Sequence, residues 1–99
     1  MAFGITKSEL KRWKNGVKNG QITFLTHYWL DNRFPDSFTV TKVGCVNLKK
    51  LKEWGHKYGL KSEWIHSDPE FPHFDLFGER QKEILMSENK WDHINKFNL

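Results

Sequence analysis

Cysteine occurs once in this chain, at Cys45, which rules out an internal disulfide and leaves too few thiolates for a cysteine-built metal cage. A lone thiol is expected to serve as a small buried hydrophobe in a reducing compartment. No apolar run approaches the roughly 20 residues that a membrane helix needs. The first 20 positions carry five Lys/Arg and lack the apolar stretch of a secretory signal. The expected location is therefore cytoplasmic, with no membrane partner. No Pro/Gly/Ser linker, internal repeat or low-complexity tract divides the chain. Sharp catalytic signatures are also missing: no Gly-rich phosphate loop ending in Lys-Ser/Thr, no Cys-x-x-Cys, no His-Glu-x-x-His, no Gly-x-Ser-x-Gly. Several enzyme classes drop out with them, and no cofactor is expected.

What the chain does have is aromatic surface, with five Trp, eight Phe and two Tyr among 99 residues. Each ring buries a large area, so a length suited to one domain, 1–99, can build its core from few residues. Charge is distributed unevenly. Residues 1–61 hold 12 Lys/Arg against 4 Asp/Glu, whereas residues 62–99 hold 4 against 8. That division fits either an anionic partner for the basic part or mutual attraction of the two parts within the fold.

Periodicity predicts a first helix over Thr6 to Lys18, with Leu10, Trp13 and Val17 on its apolar face and Thr6 or Ser8 as cap. Lys7, Lys11, Lys14 and Lys18 form a basic ridge beside that face, for which a solvated surface is the ordinary explanation. Gln21 to Leu30 reads as a strand with apolar residues on both sides, which suggests a central position. Asp31 to Ser37 is a loop, and Phe38 to Val46 a second strand with Gly44 as candidate bulge. Asn47 is a plausible cap for a helix carrying Leu48, Leu51, Trp54, Gly55 and Tyr58 on one face, stopped by Gly59. Gly55 is expected to permit close packing on a strand. Trp64 to His66 reads as a short strand, Asp68 to Pro72 as a turn, and Phe74 to Leu76 as extended chain. A helix follows from Gly78 or Glu79 to Glu88, and Trp91, Ile94 and Phe97 mark a last turn or two. The expected fold is α+β, a short central sheet of two to four strands packed by about three helices.

The polar residues that stand out are histidines near aspartates: His27 with Asp31, His66 with Asp68, His73 with Asp75. Residues two apart on a strand point the same way, so His73 and Asp75 share a face while Phe74 turns to the core. A carboxylate beside an imidazole can fix its tautomer for metal binding, general base action or phosphate contact. Asp75 could equally cap the following helix. His27 and Trp29 share a strand face that runs out toward Arg33, a combination suited to stacking a nucleobase and pairing its phosphate. The bland alternative is that both simply fill the core. Arg80 lies in the first turn of a helix, where free backbone N–H groups already favour an anion, so it hints at an oxyanion or a salt bridge to Glu79, Glu83 or Asp75.

The segments Thr26-His27-Tyr28-Trp29-Leu30-Asp31, Arg33-Phe34-Pro35, Thr41-Lys42-Val43-Gly44-Cys45 and Pro72-His73-Phe74-Asp75-Leu76-Phe77-Gly78 resemble the YneQ family of small uncharacterised Bacillus proteins. Leu48 to Leu85 is also similar to a wider bacterial and phage family with a Trp-centred segment, His-aromatic-Asp and a following Arg, here Trp64, His73, Phe74, Asp75 and Arg80. The resemblance supports the choice of residues and brings no reaction with it.

Three functions compete on these residues. The first is a binding module for a phosphate-bearing ligand, a nucleotide or short single-stranded nucleic acid, using His27, Trp29, Asp31, Arg33, His66, His73, Asp75 and Arg80. Sequestration of a signalling nucleotide is its concrete form. The second is a small metal-dependent hydrolase built on His27, His66, His73 and Asp75 or Asp31. The third is an interaction or homo-oligomeric domain using surplus aromatic surface.

Overall fold

The computed structural model describes residues 4–30, 32–33 and 35–99. Three antiparallel strands, β1 (Thr23–Tyr28), β2 (Thr39–Gly44) and β3 (His73–Leu76), form a sheet in the order β1-β2-β3. Helices α1 (Lys7–Lys18), α2 (Leu48–Lys57), α3 (Gly78–Ser87) and α4 (Trp91–Phe97) pack around it, and one 3-10 turn spans Ser62–Trp64. This is the expected α+β architecture with one helix more than anticipated. Its Cα radius of gyration, 12.7 Å, is that of a single unit of this length. Among the described residues no helix is long and apolar enough to cross a membrane.

Local chemistry sets the helix ends. Thr6 and Glu9 form a reciprocal capping box at the start of α1. Asn47 accepts the Lys50 N–H at 3.1 Å to start α2, and Gly59, at φ +73°, supplies the left-handed residue that ends it. Leu51, Trp54 and Gly55 are buried as their spacing predicts, but Leu48, in the first turn of α2, is 46% exposed.

The pleat divides the sheet cleanly. Val43, Phe74 and Leu76 face α2 and α3 and meet Leu51, Trp54, Leu60 and Ile84 in the main core. On the opposite face Leu25 packs with Trp13 and Val17 of α1. Three expectations need correction here. β1 is an edge strand, apolar on both sides because α1 covers one face and α4 the other, with Tyr28 against Phe97. Gly44 is no bulge: its pairing with Thr23 and His73 is regular, and its missing side chain admits Trp13 and Val17. Trp64 to His66 is not a strand; the 3-10 turn occupies it, and His66 alone bridges to His73.

Glu88, at the end of α3, ties that helix to α2. Its carboxylate accepts from Trp54 Nε1 at 3.0 Å, from the Tyr58 hydroxyl and from Lys57 Nζ at 3.4 Å. Burial pushes the Glu88 carboxyl up, but those donors outweigh it and hold the pKa below the usual range. Burial and the same contact push Tyr58 up to about 12. Glu88→Ala orphans an indole N–H and a phenol, so urea denaturation is expected to register a loss of about 2 kcal/mol. A change within about 0.5 kcal/mol, as at an ordinary surface position, would contradict it.

Candidate functional site

The sheet face opposite the main core carries the polar residues. Alternation along β1 and its extension places Leu25, His27 and Trp29 there; β2 contributes Lys42, and β3 contributes His73 and Asp75. Lys42 stands opposite Asp75 in the β2–β3 register. A lysine in mid-strand is the sequence signal for this polar face, and the Thr and Val residues around it mask it.

A cavity of about 790 Å³ lies along the outer edge of β3, within the size range of small-molecule sites. Trp29, Trp64 and Phe77 give it aromatic walls, Arg33 and Arg80 supply guanidinium groups, and Glu63, His66 and Asp75 supply the other polar groups. Trp29 and Phe77 rings lie 5.6 Å apart at one end. At the other, Arg80 stands over the Trp64 ring at 5.2 Å and Lys61 at 5.7 Å, with Trp64 still 43% exposed. Arg80 thus stacks on an aromatic plate, where a helix-stabilising carboxylate partner is the bland expectation. Phe77 is the N-cap of α3 and its own side chain makes no capping bond, and the helix start, with Phe77 and Arg80, borders the cavity.

The strand edge adds further groups. His73 and His66 exchange backbone hydrogen bonds at 2.8 and 3.4 Å on the side away from β2. Two residues along an antiparallel strand, the N–H and C=O of Asp75 point the same way, toward the cavity wall.

Beside this cavity sits a compact His-His-Asp cluster. The His66 ring donates Nε2–H to Asp75 Oδ2 at 2.9 Å, and His73 Nε2 lies 3.6 Å from Asp75 Oδ1. The two imidazoles stack with centroids 4.9 Å apart and planes within 3°. The expected partnerships are redrawn: His66 pairs with Asp75, while Asp68 spends its carboxylate on the Glu70 and Phe71 N–H groups of its own turn. Nor does Asp75 cap α3.

His27 sits apart, in a smaller hollow of about 310 Å³ under α1 that also touches His73 and Lys42. Its Nδ1–H donates to the Tyr28 carbonyl at 2.8 Å, and its Nε2 is buried with no hydrogen-bond partner among the described residues. Burial lowers its pKa, and so it does for His73; in each case the Lys42 charge lowers it further. Two members of the basic ridge are not simply solvated: Lys14 and Lys18 both lie 5.4 Å over the Phe71 ring.

Of the eight expected site residues, Trp29, Arg33, His66, Asp75 and Arg80 line one cavity. His73 joins them through the cluster, His27 occupies the adjoining hollow, and Asp31 lies outside the described residues. Glu63 is an addition to that set, because a single carboxylate in a polar turn carries no sequence signal.

Fold and site together define a small α+β domain with a guanidinium-and-aromatic cavity at a sheet edge, flanked by a His-His-Asp cluster. The chain belongs to the YneQ family: it is 62% identical over 99 residues, the full length of both chains, to a Bacillus subtilis (strain 168) protein described as "Uncharacterized protein YneQ". No family model matches the chain, and no solved structure does.

Proposed function

We propose that the cavity at the β3 edge binds a phosphate-bearing ligand with a stackable ring, a nucleotide or the end of a short single strand, and that the chain acts as a binding module. The observation that carries this reading is Trp64 at the mouth, half-exposed, with the Arg80 guanidinium over its ring. An exposed plate next to cations is the arrangement that holds a base by stacking and its phosphate by charge-assisted hydrogen bonds. The positive end of the α3 dipole borders the same cavity and favours the same phosphate. Glu63 and the outward N–H and C=O of Asp75 offer the complementary groups that a base edge needs.

Thermal shift across mono- and dinucleotides, cyclic dinucleotides and short oligonucleotides tests the reading. Ligand at 100 times its dissociation constant adds about 2.7 kcal/mol of stability. Arg80→Glu is expected to abolish the shift, because it replaces the stacked cation by a repelling carboxylate. Lys11→Glu, on the exposed side of α1, should leave the shift intact, which separates a built site from general attraction to a basic chain. No shift with any member of the panel would overturn the reading. Heat release then separates roles: unaltered nucleotide means sequestration, altered nucleotide means catalysis.

A further inference from the structure

We infer that His66, His73 and Asp75 form a site for a divalent transition-metal ion of the zinc type, whatever organic ligand fills the adjoining cavity. One ligand atom from each residue lies within 4.8 Å of the other two, and this is the one such cluster among the described residues. A tetrahedral zinc shell spaces its ligand atoms about 3.4 Å apart, so closing the set takes a movement on the order of 1 Å. His66 can supply that movement, because its side chain is more than half exposed.

The carrying observation is the direction of the lone pairs. His73 donates Nδ1–H to the Phe71 carbonyl at 2.8 Å, which leaves its Nε2 as an acceptor. That nitrogen faces Asp75 Oδ1 at 3.6 Å, and Oδ1 is buried with no hydrogen-bond partner among the described residues. Two electron-rich atoms facing each other, the carboxylate oxygen of the pair buried, repel, and a cation between them turns the repulsion into two bonds. The Phe71 carbonyl is then the outer partner that fixes the ring's tautomer, as metal-binding histidines require.

The backbone enforces the convergence. The His66–His73 bridge pins both residues side by side, and their stacked rings both present Nε2 to the one carboxylate; as the ion binds, it replaces the proton that His66 Nε2 shares with Asp75, and the neutral ring keeps its proton on Nδ1. Two imidazoles and a carboxylate suit Zn²⁺ and neighbouring first-row ions, and three protein ligands leave a coordination position open. His66 and Asp75 line the large cavity, so the open position adjoins the place where a ligand's oxygen or a water would complete the shell.

The test uses the full chain, stripped with a chelator, desalted, and titrated with Zn²⁺ by calorimetry and with Co²⁺ by visible absorption. One ion per chain is expected, with the Co²⁺ band of a low-coordinate nitrogen and oxygen site. His66→Gln changes an exposed ring and leaves the fold intact, so it isolates the ligand role from folding. It and Asp75→Asn should each weaken binding by at least about 100-fold, the upper end of what losing an outer-shell partner alone costs. His56→Gln, on an exposed ring away from the cluster, should change nothing. No one-to-one isotherm, or binding that His66→Gln leaves intact, would overturn the assignment. Because the metal alone is the probe, the result stands apart from whether any nucleotide binds.

Discussion

Gly55→Val is expected to cost about 3 kcal/mol, the upper end for forcing extra atoms into a packed core, and to lower Tm by roughly 12 °C or more. At an open helix position a glycine replaced by alanine gains about 1 kcal/mol from helix propensity alone. Position 55 reverses that sign. A Cβ there would meet Phe74 Cζ at 2.6 Å and Cε2 at 2.8 Å, and Phe74 is 1% exposed, locked between α2 and the sheet. Neither the ring nor the strand behind it has room to retreat. Even Gly55→Ala should therefore destabilise. The mechanism is checked by a double-mutant cycle: in a Phe74→Leu background, which removes the two clashing atoms, the cost of Gly55→Ala should fall by at least about 1 kcal/mol. An alanine variant that melts higher than the parent, or a cycle without coupling, would show that the contact is not what holds the helix close.

That close approach is legible in the amino-acid sequence, because a glycine on the apolar stripe of an otherwise well-capped helix has few other uses. So are the Asn47 and Gly59 boundaries, since cap chemistry is local and needs no knowledge of the rest of the chain. The sharing of one sheet face by His27 and Trp29, and of another stretch by His73 and Asp75, follows from the two-residue period of a strand. Pairing between distant segments leaves no such local mark. Two-sided apolarity in β1 is equally the sign of a central strand and of an edge strand sandwiched by helices. Gly44 reads as a bulge because the incoming Trp13 lies 31 positions earlier in the chain. Proximity in sequence matches His66 with Asp68, whereas the antiparallel bridge to His73 sets it against Asp75. The cavity at the β3 edge depends on the 3-10 turn turning Trp64 toward Arg80, a tertiary choice that its three-residue pattern does not encode.

Acidification is expected to destabilise the fold steeply below about pH 6.5, and the buried end of α4 explains why. Gln81, 2% exposed beneath the sheet, accepts from the Thr39 hydroxyl at 3.1 Å and donates Nε2–H to Thr41 Oγ1 at 3.0 Å. Thr41 then donates to Thr26 at 2.7 Å, and Thr26 donates to His93 Nδ1 at 2.8 Å. With the amide of Gln81 so oriented and every hydroxyl proton placed in a bond, the chain runs one way and ends on the lone pair of His93 Nδ1. A proton on Nδ1 makes it a donor, so Thr26 must accept from it and turn its own hydroxyl toward Thr41, which already accepts from Gln81, and the buried Thr41 proton is left without its partner. Burial lowers the His93 pKa; Asp92 and Glu9 pull it upward, while Lys90 and Lys96 push it down. His27, also buried, is lowered as well. Both groups bind a proton more weakly folded than unfolded, so their contribution is complete above the unfolded value and shrinks as pH falls toward the folded one. Within that window each histidine adds a slope of up to about 1.4 kcal/mol per pH unit. Urea midpoints taken from pH 8 to pH 5 should fall accordingly. His93→Asn presents an acceptor to Thr26 without a titrating ring, so its stability should lose one proton's worth of that slope while changing little at pH 8. A His93→Asn profile that runs parallel to the parent's through the acid range would show that the hydroxyl chain tolerates the imidazolium.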